Sequence, residues 1–374
     1  MKKLLILCFL LPVIGGFSYL GLRFQKNRPN IEPYPFYFKQ KPTTIKLKAP
    51  VLIIGDSMAV RVSTFKDLLA KKISSTLSTP IEIDTLVSEG QNIHRSFELL
   101  KSLERLPLII ILISNRDETY ESLFKTKDIE KIAKNFKIYD NIYLQSLFMI
   151  FPDISRLLYH NVSYLPLARQ APIPDENIYP DHILIQRQQI NYKLYGATLN
   201  KFFNFAKKSA SMVIPVTTPI NLTLPPKKDC YGSIEKTAGS EIQQLSRLIK
   251  NKDFKGAYNL SQELALMYPS NASILFDHSR ILTKLNKYSE SHRYAELAAV
   301  YDCGNQAGDP IFNQIMKQDA LKYNFVAFDY HQYLADETRR NTPFIEDIYP
   351  QDLYLEKFAD ILGLKIKSLL KLEL

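Results

Sequence analysis

The sequence predicts a doubly wound α/β domain with a parallel sheet, interrupted by an all-helical segment. Three observations carry this expectation. Short apolar runs, each the length of one strand, alternate with helical patterns along most of the 374 residues. The strongest run, Leu106–Ser114 (LPLIIILIS), has no polar face and calls for burial on both sides of a sheet. From Glu241 to about Asp302 the alternation stops, and a helical pattern repeats with a spacing of 34 residues.

In chain order, Lys2 and Lys3 precede an apolar run from Leu4 to Leu22. As a helix its 19 residues would span about 28 Å, close to a hydrocarbon core of roughly 30 Å. Pro12 and Gly15-Gly16 weaken a permanent helix, and Gly16-Phe17-Ser18 places small residues where a signal peptidase would cut. Residues 1–22 are thus expected to be a signal peptide or a membrane anchor, and the protein to be exported, periplasmic or extracytoplasmic. Residues 23–48 form a Pro-rich linker with seven basic side chains against Glu32 alone. This segment holds more than half of the net charge of +10. A tether beside anionic lipid, or a plain solvated linker, accounts for that placement better than a nucleic-acid groove, so no nucleic-acid partner is expected.

Ala49–Ile54 (APVLII) reads as a buried strand that ends in Gly55-Asp56-Ser57, with a helix beginning near Met58. Ile81–Val87, Leu106–Ser114, Met212–Val216 and Phe325–Phe328 complete five strand candidates, with helical patterns such as Arg95–Arg105 and Ile129–Phe136 between them. The first part of the α/β domain is placed at 49–220 and the second at 310–374. Between them lies a helical insertion at 221–309, with Pro219–Pro226 leading in and Gly304–Pro310 leading out. Within it Asp253–Tyr258 returns as Lys287–His292, a period typical of tetratricopeptide helix pairs, and this surface could dock a partner protein. About one and a half repeats is too few to stand alone, so the helices should pack on the α/β core. His278 and His292 on them read as packing or surface residues. Cys230 and Cys303 could pair in an oxidising compartment or remain free and buried. Three cysteines and thinly spread glycines suggest neither a metal site nor a phosphate loop, and no cofactor is expected.

Ligands of open parallel sheets bind beyond the carboxyl ends of the strands. Three such ends here carry Gly55-Asp56-Ser57, Ser88–Asn92 and Ser114–Asp117. A serine, a glycine N–H and an asparagine amide so placed could supply a nucleophile and oxyanion donors. The competing structural role is that Asp56 and Ser57 merely cap the helix that follows.

These blocks resemble the SGNH (GDSL-type) hydrolase family: Gly55-Asp56-Ser57 at the first strand end, Gly90 after the second, and Asn115, loosely, after the third. The resemblance spans about 49–220 and 310–370. It implies a flavodoxin-like three-layer α/β/α fold and an esterase or O-acyl hydrolase or transferase. The ligand would be an acyl ester or a glycan of the cell envelope. Ser57 would attack, and the N–H groups of Ser57 and Gly90 with the Asn115 amide would hold the oxyanion. The last block departs from the family. In Phe344–Pro350, Glu346 stands where the family has Asp, and Tyr349 stands where it has the catalytic His. A tyrosine hydroxyl ordinarily keeps its proton at neutral pH, and loss of the base in a serine hydrolase costs on the order of 10⁶ in turnover. His94 and His331 are the substitutes closest to the expected mouth, with Asp347 or Asp352 able to orient a base. Arg116, Asp117 and Glu118 read as a solvated loop or the wall of a polar pocket. An inactive SGNH-like scaffold that binds a glycan or a partner protein is the alternative to the enzyme.

Overall fold

The computed structural model describes residues 2–27, 43–75, 80–118, 129–130, 132–134, 140–151, 154, 179–232, 238–304, 308–338, 343–345 and 348–372. In order these form α1 (Lys2–Asn27), β1 (Val51–Gly55), α2 (Ser57–Ser63), α3 (Lys66–Ser74), β2 (Ile83–Val87), α4 (Ile93–Lys101) and β3 (Ile109–Ile113). There follow α5 (Ile142–Ile150), α6 (Asp181–Lys208), β4 (Met212–Val216), α7 (Gly239–Lys250), α8 (Phe254–Met267), α9 (Ala272–Lys284) and α10 (Tyr288–Tyr301). The chain closes with α11 (Pro310–Lys322), α12 (Tyr330–Thr338), β5 (Phe344–Ile345), β6 (Tyr349–Pro350) and α13 (Asp352–Leu372).

The apolar residues of β1 and β3 alternate between two cores, as the period of two in a strand requires. Val51, Ile53, Ile109, Ile111 and Ile113 point to one face, where they meet Met58, Leu69, Tyr330, Phe358 and Leu362 of α2, α3, α12 and α13. Leu52, Ile54, Ile110 and Leu112 point to the other, against Ile93, Leu100, Phe202, Phe203 and Phe312 of α4, α6 and α11. Both strands are buried along their whole length, which is why their sequences show no polar face. The result is a three-layer α/β/α fold.

The sheet is parallel, with strand order β2-β1-β3-β4. The chain moves outward from β1 to β2 and then returns to the other side of β1 with β3. The switch point therefore falls between the carboxyl ends of β1 and β3, where such sheets open a crevice. Gly55 ends β1 at φ +149°, and a Cβ there would lie 1.7 Å from the Ile113 carbonyl oxygen. Only glycine allows the two strand ends to approach this closely.

One expectation is corrected. Phe325–Phe328 is not a fifth strand: it contributes one parallel bridge, Val216 to Phe328, before α12 begins. Two bonds tie it to β4, Phe328 N–H to Pro215 O and Thr217 N–H to Phe328 O, too few to make a ladder. The apolar stretch near the amino terminus is one continuous helix through Pro12 and the glycine pair. No helix among the described residues is long and apolar enough to cross a membrane. The pattern at Ile129–Phe136 falls partly outside the described residues, and the remainder is helical.

The segment 239–301 folds as four successive helices, α7 to α10, around their own apolar core of Leu245, Ala257, Leu264, Leu275, Ile281 and Ala298. A Cys230–Cys303 disulfide (Cα–Cα 5.9 Å) closes its two ends. His278 is buried and hydrogen-bonds Ser261 Oγ at 2.8 Å, the packing role expected of it.

Candidate active site

The crevice at the switch point is built from the turns that follow β1, β2 and β3. Asp56 caps α2: its Oδ1 accepts from the Met58 and Ala59 N–H groups at 2.9 and 3.3 Å. Its Oδ2 accepts from the Asn115 and Arg116 N–H groups at 3.0 and 2.9 Å. One carboxyl thus caps a helix and staples the end of β1 to the end of β3, so the structural role of Asp56 is real and accounts for its burial. Burial and the charge of Asp117 push its pKa up to about 7, against the pull of the backbone donors.

Ser57 opens α2, and Gly90, at φ +74°, turns the chain after β2. Their N–H groups converge, as expected of oxyanion donors. They converge on a residue of the chain itself. Asp117 Oδ2 lies 2.8 Å from Ser57 N and 2.9 Å from Gly90 N, inside the window in which an oxyanion would bind. The other oxygen, Oδ1, accepts from Ser57 Oγ at 3.0 Å. Asp117 therefore fills the hole and holds the hydroxyl at once. Among the described residues Ser57 Oγ has no other hydrogen-bond partner, and Ser57 and Asp117 are only 5% and 4% exposed.

Asn115 does not complete the hole. Its Nδ2 donates to Asp309 O at 3.0 Å and Asn313 Oδ1 at 2.8 Å, and its Oδ1 accepts from Asp309 N–H at 3.0 Å. The amide is spent on joining the end of β3 to the start of α11. The 116–118 turn, expected as a solvated loop or the wall of a polar pocket, is buried throughout, which removes the solvated reading. Glu118 Oε1 accepts from Ile93 N–H at 2.8 Å and from Ser114 Oγ, and burial holds its pKa well above the ordinary carboxylate range. Burial also raises the pKa of Asp117, against the pull of the hydrogen bonds from Ser57 and Gly90 and, last, the charge of Arg116.

Tyr349 does stand at this crevice. Its ring lies 4.1 Å from the Arg116 guanidinium and 5.7 Å from that of Arg61 on α2, and Arg116 Nη1 donates to Ile348 O at 3.2 Å. With two guanidinium groups over its ring, it is a packing partner for their charge. Glu346 and Asp347 lie outside the described residues. Asp352 pairs with Arg61 at 2.8 Å and orients no histidine among the described residues.

Neither substitute histidine reaches Ser57. His94 hydrogen-bonds Thr198 Oγ1 at 2.8 Å, inside the α4–α6 interface, and burial pushes its pKa down to about 3. It faces away because α4 begins at Ile93, which turns the next side chain toward α6. His331 on α12 accepts from Ile220 N–H and bonds Glu296 of α10, so it serves the contact between the insertion and the core. Asp117 is the residue whose role the sequence reading missed. Its signal was position: an acid two residues past Asn115, on the turn after the most buried strand, lies at the switch point.

No family model matches the chain, and no curated protein matches it. Among solved structures, it is similar to a provisionally named acylhydrolase from Bacteroides fragilis NCTC 9343 at 9% identity and a TM-score of 0.35, over 88% of this chain and 92% of that one. It is also similar to an acetyl xylan esterase at 10% identity and a TM-score of 0.34, over 85% of this chain and 98% of that one. Both likenesses are weak and bear on neither chemistry nor ligand.

Proposed function

We propose that this protein is an SGNH-like scaffold whose serine is held silent, and that it works by binding in the cell envelope rather than by hydrolysing esters. The observation that carries this reading is the Asp117 carboxylate on the N–H groups of Ser57 and Gly90. An oxyanion hole accelerates acyl transfer only when its donors meet the charge that develops on the substrate. Here those donors are already bonded to a built-in carboxylate. Among the described residues Asp117 is also the one group bonded to the Ser57 hydroxyl, so it is the natural candidate for a base. It cannot act as one without also blocking the site where the substrate carbonyl must sit. The Asn115 amide, bonded to Asp309 and Asn313, adds no further donor. The apolar helix α1, the basic linker after it and the Cys230–Cys303 disulfide support a place at a membrane in an oxidising compartment.

The test is labelling of the folded protein with a fluorophosphonate at neutral pH, read by intact mass, with Ser57→Ala as control. No adduct on Ser57 is the expected result. Stoichiometric labelling that disappears in Ser57→Ala would restore the esterase reading, with envelope acyl esters as the substrate class.

A further inference from the structure

A cavity lies away from Ser57, in the cleft between the helical insertion and the α/β core. It holds about 560 Å³, within the range of small-molecule sites. The insertion supplies one wall from α9 and α10. The core supplies the other from α12 and from the segment Ile220–Thr223 that follows β4.

A cluster of side chains ties the two walls together. His331 Nε2 and His292 Nε2 lie 3.2 and 3.6 Å from Glu296 Oε1. The three ligand atoms fall within 4.8 Å of one another, a spacing that would suit a metal ion. The hydrogen-bond polarity opposes that use. Ile220 N–H donates to His331 Nδ1 at 3.2 Å, so the ring proton sits on Nε2 and is donated to Glu296. A metal would need that lone pair, with Nδ1–H facing an acceptor instead. The cluster ties α10 to α12 and leaves the cleft beside it open.

The charge in the cleft is the informative part. Arg280 and Lys284, one turn apart on α9, and Arg293 on α10 all line it. None of the three forms a salt bridge among the described residues, although Asp277 lies within electrostatic reach of Arg280. Two acids also line the cleft, Glu296, bonded to His331, and Asp336, which accepts from Gln332 Nε2 at 3.4 Å, and the three cations outnumber them. Three long cations around one concave space repel one another, and an anion relieves that repulsion. The rest of the lining suits a hydroxylated ligand. Ser289 and the Gln332 amide oxygen offer hydrogen bonds, and the half-exposed Tyr288 ring offers a flat apolar face. The Ser279 hydroxyl donates within α9 to Phe276 O, the Thr283 and Ser291 hydroxyls join α9 to α10, and the Thr223 hydroxyl donates to Asn221 Oδ1, so these stiffen the walls instead.

We propose that this cleft binds an anionic saccharide, a sugar unit bearing a carboxylate or a phosphate. The charged group would lie among Arg280, Lys284 and Arg293, and the ring against Tyr288. This assignment is independent of whether Ser57 is silent, since the two sites share no residue and the readout is binding.

The test is calorimetric titration of the full chain, in detergent, with digalacturonate, glucose 1-phosphate, neutral cellobiose and inorganic phosphate. Saturable binding of at least one anionic sugar is expected, and the preferred one identifies the charged group. Cellobiose should bind at least tenfold more weakly, and Arg280→Gln with Arg293→Gln should weaken the anionic sugar by about tenfold or more, roughly the loss of one charged hydrogen bond. Lys284→Gln is the second variant should the first fail to fold. The proposal is overturned if neither anionic sugar binds in the millimolar range, or if cellobiose binds as well. It is equally overturned if the folded variant binds unchanged, or if inorganic phosphate alone matches the sugar phosphate.

Discussion

Replacing Asp117 by alanine and by asparagine separates the geometry of the filled hole from its charge. Alanine removes the acceptor for Ser57 N–H, Gly90 N–H and Ser57 Oγ together. The Ser57 N–H is buried and loses its partner outright, at a cost of about 1–3 kcal/mol. Gly90 is only half-buried, so water can take over its bond at little cost. Losing one of three clustered acids relieves repulsion on Asp56 and returns part of this. The net destabilisation worked from these contacts is about 2 kcal/mol. Asparagine keeps a carbonyl oxygen for the two N–H groups and turns its NH₂ to Ser57 Oγ, which can accept. It should therefore stay within about 1 kcal/mol of the parent. The assay is urea unfolding of all three proteins at pH 7, read by circular dichroism and compared at constant slope. If alanine is as stable as the parent, the carboxylate does not satisfy these donors. If asparagine is as damaging as alanine, charge rather than acceptor geometry holds the turn. Either result would refute the account of a filled hole.

Three further outcomes follow from the same contacts. Glu118 has its pKa raised by burial, so the folded state keeps a proton that the unfolded chain releases; its contribution is full below about pH 4 and is lost as pH rises through the folded value. Glu118→Gln mimics the protonated form, and its stability relative to the parent should climb from pH 5 to pH 8; a flat or falling difference in urea midpoints would contradict this. Reducing Cys230–Cys303, 73 residues apart, should lower the stability of the enclosed helices by about 4 kcal/mol in the chain-entropy model. Hydrogen exchange across α7–α10 should accelerate on reduction, and unchanged exchange would show that the helices need no staple. Gly55→Ala drives a Cβ to 1.7 Å from the Ile113 carbonyl oxygen, so β1 and β3 must part at the switch point. Loss of soluble folded protein, or at least about 4 kcal/mol of stability, is expected by unfolding assay, and a normally folded variant would show that the two strand ends can separate freely.

The amino-acid sequence by itself determined the layers of this protein. Runs such as LPLIIILI admit one environment, a strand covered on both faces, because no alternation remains to place a polar side in water. Gly55-Asp56-Ser57 could be read as a strand end because glycine, a capping acid and a small polar residue meet the local demands of that turn. The convergence of Ser57 and Gly90 could be anticipated for the same reason: both sit at carboxyl ends of neighbouring parallel strands. The state of the site was decided elsewhere. Asn115 and Asp117 are two residues apart, and nothing local tells which of them turns toward Ser57. That choice was made by α11, whose Asp309 and Asn313 are nearly 200 positions away and claim the Asn115 amide, leaving Asp117 to meet the N–H groups. His94 and His331 were drawn off in the same manner, by Thr198 and by Glu296. Hydrogen-bond partners that arrive from distant segments leave no periodicity behind. They are settled only when the helices dock, and with them the difference between an open oxyanion hole and a filled one.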